Sequence, residues 1–183
     1  GVRIIVSPGE AEPGETVVIR SHGVEQSIYD EMESRSISYA DATCPFVAKI
    51  HRIVAKAAAE GKTVLIAGDP DHPEVVGIRG HAGENVFVVR NADELQKRLE
   101  TLKNSQNPPC ILVAQTTYHT TFWRDCFEVA RKHYTNIEIF DTICSATMRR
   151  QQEAESLAAK VDRMIVVGGR HSSNTGKLFD ICS

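Results

Sequence analysis

The sequence predicts an α/β protein made of repeated lobes with small parallel sheets. Three observations carry that expectation. Strand-like and helical runs alternate along the whole chain. A segment repeats: Asp41-Ala42-Thr43-Cys44-Pro45 and Asp141-Thr142-Ile143-Cys144-Ser145 each follow an alternating apolar run and open a long helical run. Each cysteine then lies the same distance ahead of a glycine, Gly68 or Gly168, that ends a second strand-like run. Beyond each glycine comes a polar loop, Asp71-His72-Pro73-Glu74 in one copy and His171-Ser172-Ser173-Asn174 in the other. A repeat this regular describes similar units, each presenting one cysteine and one polar loop. Open α/β sheets place their sites in such strand-end loops.

The elements follow in order. Val2–Val6 reads as a strand, and Ser7–Gly14 as a loop. Thr16–Arg20 is a second strand, ending in Ser21-His22-Gly23; Val24–Glu33 is a short helix, and Ile37–Ala40 a strand. Pro45 suits a first helical turn, where its missing N–H costs little. The helix from Phe46 to about Glu60 carries Val47, Ile50, Ile53, Val54 and Ala57 as one apolar stripe. Thr63–Ala67 is a strand, Val75–His81 a short helix, and Asn85–Val89 a strand. Asn91 with Glu94 has capping-box spacing for a helix through Leu102. Cys110–Ala114 is a strand ending in Gln115-Thr116-Thr117, and Thr120–His133 is an amphipathic helix. Ile137–Phe140 and Met164–Val167 are strands, and a last helix begins near Asn174. The expected units are the end of a first lobe in 1–43, a complete second lobe in 44–140, and the start of a third in 141–183.

Composition narrows the function classes. With 183 residues and a formal net charge of −3, nothing calls for nucleic acid or an anionic membrane surface as partner. No apolar run has the length of a membrane span, and no signal peptide is legible. Five cysteines without a compact framework point to free thiols or metal ligands in a reducing cytoplasm.

Cys44 and Cys144 are the metal-ligand candidates. Amides at a helix N-terminus stabilise a thiolate, the form that binds metal. The two are not CxxC partners, so thiolates brought together from different units suit a larger cluster better than a zinc ribbon. Cys110 and Cys126 read as core, and Cys182 lacks context. His72 and Glu74 in one loop suit proton delivery to a leaving group, against a bland reading as a solvated helix start. His22 is suited to hold an anion. Ser172-Ser173-Asn174 is either a phosphate site at a helix N-terminus or a plain N-cap. Gln115-Thr116-Thr117 is either a cap or a donor set. No dinucleotide or P-loop glycine pattern occurs, which disfavours a nucleotide enzyme. A small anion held beside a metal cluster is the simplest use of these groups.

These motifs resemble, in order and across essentially the whole chain, those of the LytB/IspH family, the 4-hydroxy-3-methylbut-2-enyl diphosphate reductases of the non-mevalonate isoprenoid pathway. They are Ser21-His22-Gly23-Val24, Asp41 through Pro45, Gly68 through Val75, Gln115-Thr116-Thr117, Asp141 through Cys144 with Ala146-Thr147, and Ser172-Ser173-Asn174. The resemblance implies three α/β lobes in a trefoil around an iron–sulfur cluster, 4Fe-4S, or 3Fe-4S if the apical iron is lost. It implies Cys44 and Cys144 as cluster ligands. His22, His72, Ser172, Ser173 and Asn174 would bind the substrate diphosphate. Glu74 would relay protons, and Thr116, with Thr117, would orient the departing hydroxyl or a water. Reduced ferredoxin or flavodoxin would be the electron donor. The family's first cluster cysteine, its early histidine motif and a further C-terminal serine have no counterpart here. This polypeptide by itself is therefore expected to be inert, with no stable cluster of its own. The alternative is a non-enzymatic α/β module that binds a diphosphate or a protein.

Overall fold

The computed structural model describes residues 1–169 and 172–183. Two parallel sheets organise it. In the smaller, β1 (Thr16–Ile19) pairs with β2 (Ser38–Asp41), with Thr16 opposite Ser38 and Ile19 opposite Asp41. The connecting helix is α1 (Gln26–Ser34). The larger sheet contains β3 (Thr63–Ala67), β4 (Val86–Val89), β5 (Cys110–Ala114) and β6 (Ile137–Ile139), in the order β4-β3-β5-β6, all parallel. The α/β class with small parallel sheets is thus the one that the alternation of runs predicts.

The central strands explain the pattern of the sequence. Every residue of β3 and β5 is buried, as expected for parallel strands covered on both faces. Leu65, Ala67, Leu112 and Ala114 pack on one face against Leu95 and Leu99 of α4 (Ala92–Asn104) and Trp123 and Cys126 of α5 (Thr120–His133). Val64, Ile66, Ile111 and Val113 pack on the other against Ile50 and Val54 of α2 (Pro45–Ala59) and Val75 and Ile78 of α3 (Pro73–His81). Period-two alternation within continuous apolar runs therefore serves two cores at once. Cys110 and Cys126 are both core residues. Two further helices, α6 (Ser145–Ala158) and α7 (Ser173–Cys182), pack on each other.

The strand order decides where a site can form. From β3 the chain passes to one side of the sheet, and from β5 to the other. The crevice between the carboxyl ends of β3 and β5 is thus the switch point at which open parallel sheets bind ligands.

Two expected strands are absent. Val2–Val6 and Met164–Val167 have no strand geometry, and Val2, Ile4, Val6, Ile165 and Val167 stand almost fully exposed. A strand exists only as a hydrogen-bonded partner of another strand. Neither segment has a neighbour among the described residues. Helix ends also sharpen the expectation. α3 begins at Pro73 rather than Val75, which makes His72 its N-cap. Asn91 caps α4 by accepting the Glu94 N–H at 2.9 Å, but Glu94 reaches back to the Arg90 N–H rather than to that of Asn91. Among the described residues no helix is long and apolar enough to cross a membrane.

Candidate functional site

The two cysteine junctions share one backbone device. Cys44 is the N-cap of α2 and Cys144 the N-cap of α6, and neither side chain is spent on capping. The Cys44 N–H donates to the Ser21 carbonyl at 3.0 Å, and the Cys144 N–H donates to the Thr116 carbonyl at 2.9 Å. Each cysteine is thus stitched to the loop that follows the neighbouring parallel strand. Local side chains hold the stitches in place. Asp41 accepts from the Thr43 N–H and the Tyr29 hydroxyl. The Thr142 hydroxyl accepts from the Ala114 N–H and donates to the Ala114 carbonyl, extending the ladder between β5 and β6. Both thiols are free and partly exposed.

The switch-point crevice is closed by a carboxylate. Glu74, in the first turn of α3, is 2% exposed. Its two oxygens accept from the Thr116 N–H at 2.6 Å and the Thr116 hydroxyl at 2.8 Å, which links the ends of β3 and β5. Burial pushes the Glu74 carboxyl above the ordinary range, against the pull of the two Thr116 donors and the charges of His22 and Lys177. A buried glutamate whose pKa is raised in this way is a candidate proton carrier. The matched glycine of the repeat has a packing cause here. A Cβ on Gly68 would meet Val75 Cγ2 at 2.9 Å, and one on Gly168 would clash with Thr175. In both copies the following helix crosses directly over the glycine.

Two histidines adjoin this carboxylate. His72 Nδ1 accepts the Glu74 N–H at 3.1 Å. Burial, then the neighbouring His22 and Lys177, push its pKa down, so its ring is inclined to be neutral. The His22 and His72 rings meet edge to face at 5.5 Å. His22 Nδ1 is buried without a hydrogen-bond partner among the described residues. The loop carrying His22 rests on His51, which stacks on His81 at 4.1 Å. Gly23, at φ +69°, leaves room for that imidazole, since a Cβ there would lie 2.6 Å from His51 Cε1. Burial pushes the His51 pKa down to about 4.

The third wall comes from α7. Ser172 behaves as an N-cap, its hydroxyl accepting the Thr175 N–H at 3.3 Å. The Ser173 hydroxyl lies 3.1 Å from the Thr117 hydroxyl, and Asn174 Oδ1 is buried without a partner among the described residues. His171 falls outside the described residues. The structure therefore connects Cys44, Ser21-His22, His72, Glu74, Thr116 and Cys144 in one chain of contacts, and Thr117 with Ser173 beside it. Sequence reasoning passed over Lys177, whose ammonium donates to Ser173 at 2.8 Å.

The cysteines suit a metal cluster in part. Two free thiols at helix N-termini, both tied to loops of the crevice, are fitting thiolate donors. Among the described residues, however, no group of three or more His, Cys, Asp or Glu is disposed to hold a metal ion.

Comparison with known proteins finds relatives of one kind. The chain is 42% identical over 182 residues to a 4-hydroxy-3-methylbut-2-enyl diphosphate reductase of Alkaliphilus oremlandii, covering 100% of this chain and 63% of that protein. It is 40% identical over 169 residues to one from a Thermoanaerobacter species, covering 92% of this chain and 57% of that protein. The chain thus spans about three fifths of the length of the curated relatives it matches. Among solved structures, the E-1-hydroxy-2-methyl-but-2-enyl-4-diphosphate reductase of Plasmodium falciparum superposes with a TM-score of 0.87 at 27% identity, over 97% of this chain and 55% of that one. A second, a (E)-4-hydroxy-3-methyl-but-2-enyl diphosphate reductase, gives 0.67 at 32% identity, over 96% and 62%. The family model described as LytB protein matches residues 1–183, and the chain belongs to the LytB family.

Proposed function

We propose that these residues form part of a cytoplasmic reductase that removes the hydroxyl of 4-hydroxy-3-methylbut-2-enyl diphosphate, giving isopentenyl and dimethylallyl diphosphates. The C–O bond breaks, two electrons and two protons enter, and water leaves. The observation that carries this reading is the buried Glu74–Thr116 pair at the switch point. Glu74 is the proton donor to the departing hydroxyl, and Thr116 holds the carboxylate in place. Its hydroxyl is engaged by Glu74, so it orients the leaving group through that carboxylate.

His22, His72, Ser172, Ser173 and Asn174 are the proposed diphosphate contacts, with Thr117 a further substrate contact. The His22 Nδ1, buried without a partner among the described residues, supports this reading, because such polar atoms are expected where a ligand completes the set. The Asn174 side chain would turn its NH₂ toward the phosphate oxygens. Cys44 and Cys144 would hold an iron–sulfur cluster together with ligands from other parts of the reductase. When bound, the cluster would supply electrons singly and a Lewis-acidic iron at the hydroxyl. Ferredoxin or flavodoxin is the proposed donor. The lobes are proposed to divide as 1–43, 44–140 and 141–183 and to face one another across this site.

The test is anaerobic turnover of the hydroxylated diphosphate by the full-length protein, with dithionite and a viologen as electron source. Formation of the two alkenyl diphosphates supports the proposal. Binding without product, with the cluster fully loaded, would refute it.

A further inference from the structure

We propose that Lys177 is the positioning cation of the diphosphate-binding half of the site, fixing the Ser173–Thr117 hydroxyl pair as a donor toward the anion. This inference rests on the diphosphate reading above. The hydrogen-bond polarity carries it. An ammonium only donates, so the 2.8 Å bond from Lys177 Nζ uses a lone pair of Ser173 Oγ and leaves that hydroxyl's hydrogen free. The same logic applies across the crevice. The Asp69 N–H donates to Gln115 Oε1 at 3.2 Å, which fixes the amide orientation. Gln115 Nε2 then donates to Thr117 Oγ1 at 3.0 Å, leaving the Thr117 hydrogen free as well. The two hydroxyl oxygens are 3.1 Å apart, so one hydrogen closes the gap between them. The other must find an acceptor outside the pair. A hydroxyl pair polarised from one end by a cation and from the other by an amide is set to donate to an anion.

The surroundings hold the lysine to that task. It lies one helical turn after Ser173 on α7, and its Nζ sits 5.9 Å from the Tyr118 ring centroid. The charged and titratable groups facing it are Glu74 of α3, Asp69 after β3, and Asp180 of its own helix, with His72 and His119 at the N-caps of α3 and α5. Burial pushes the Lys177 pKa down to about 8, with Glu74, Asp69 and Asp180 pulling the other way. The ammonium is therefore charged at neutral pH with little margin, and a bound diphosphate would stabilise it further.

The test uses the full-length protein and isopentenyl diphosphate, the proposed product, titrated calorimetrically from about pH 7 to about pH 9.5. Lys177→Met should weaken binding about tenfold or more at neutral pH, the scale of one charge-assisted hydrogen bond. Wild-type affinity should decline as pH rises past the lysine's pKa, and Lys177→Arg should bind at neutral pH and lack that decline. Binding by Lys177→Met within about twofold of wild type overturns the proposal. So does an alkaline decline that is the same in wild type and Lys177→Arg. If the wild type binds the ester with this pH dependence but does not reduce the alcohol, the reductase reading fails and the lysine assignment stands. If it turns over and Lys177→Met binds normally, the lysine assignment fails alone.

Discussion

The loop after β3 and the loop before α7 occupy equivalent places in the repeat, yet they carry different chemistry. Each starts at a glycine crossed by the next helix, Gly68 under Val75 and Gly168 under Thr175. Each has its capping residue four positions after the glycine. His72 caps with a ring nitrogen and Ser172 with a hydroxyl. Two residues later, one loop buries the Glu74 carboxylate against two donors, whereas the other buries the Asn174 amide with its oxygen unpartnered. The glycine, the cap and the helix start are spaced alike in the two copies, and the side chains differ. One loop carries a buried carboxylate, and the other an amide whose buried oxygen has no partner among the described residues.

That difference can be tested at several points. Replacing Thr116 with Val removes the hydroxyl donor to Glu74, a hydrogen bond to a charged group worth about 1.5–3 kcal/mol. Turnover of the full-length protein should fall about ten- to a hundredfold at neutral pH with KM little changed. Because the lost donor was lowering the Glu74 pKa, any decline in rate with rising pH should move upward. Gly68→Ala should cost about 1–3 kcal/mol in thermal or denaturant unfolding, since its Cβ meets both Val75 and the Gln115 Cβ of a buried segment. Gly168→Ala should cost less, because Thr175 lies on a more exposed helix able to shift. Asn174→Ala should raise KM about tenfold and leave kcat nearly unchanged, the signature of a group that binds ground and transition states alike. The smallest effect concerns stability. The folded-state pKa of Glu74 is raised, so its contribution is full at low pH and declines as pH rises through that pKa. Glu74→Gln should accordingly be more stable than wild type above that window and differ little below it, measured by urea unfolding across pH.

Much of this was legible before any coordinates. The continuous apolar runs of β3 and β5, the matched cysteines and the His72–Glu74 loop all follow from local rules of periodicity, capping and turn chemistry. What stayed hidden was pairing. Alternation in Val2–Val6 and Met164–Val167 says which face is apolar but not whether a neighbouring strand exists to pair with. The partner of Thr116 was hidden for the same reason. A strand-end threonine advertises a donor, and only the strand order brings β5 beside β3 so that Glu74 receives it. Lys177 was overlooked because a lone lysine on an exposed-looking helix has no pattern until its neighbour Ser173 is known to face a crevice.

Glu74 is the proposed proton donor of the site. Its most direct test is Glu74→Gln in the full-length protein with the cluster loaded, following both turnover and substrate affinity. The predicted result is turnover lowered about a hundredfold or more, with affinity within about threefold of wild type. Wild-type turnover by the variant, or a loss confined to affinity, would contradict it.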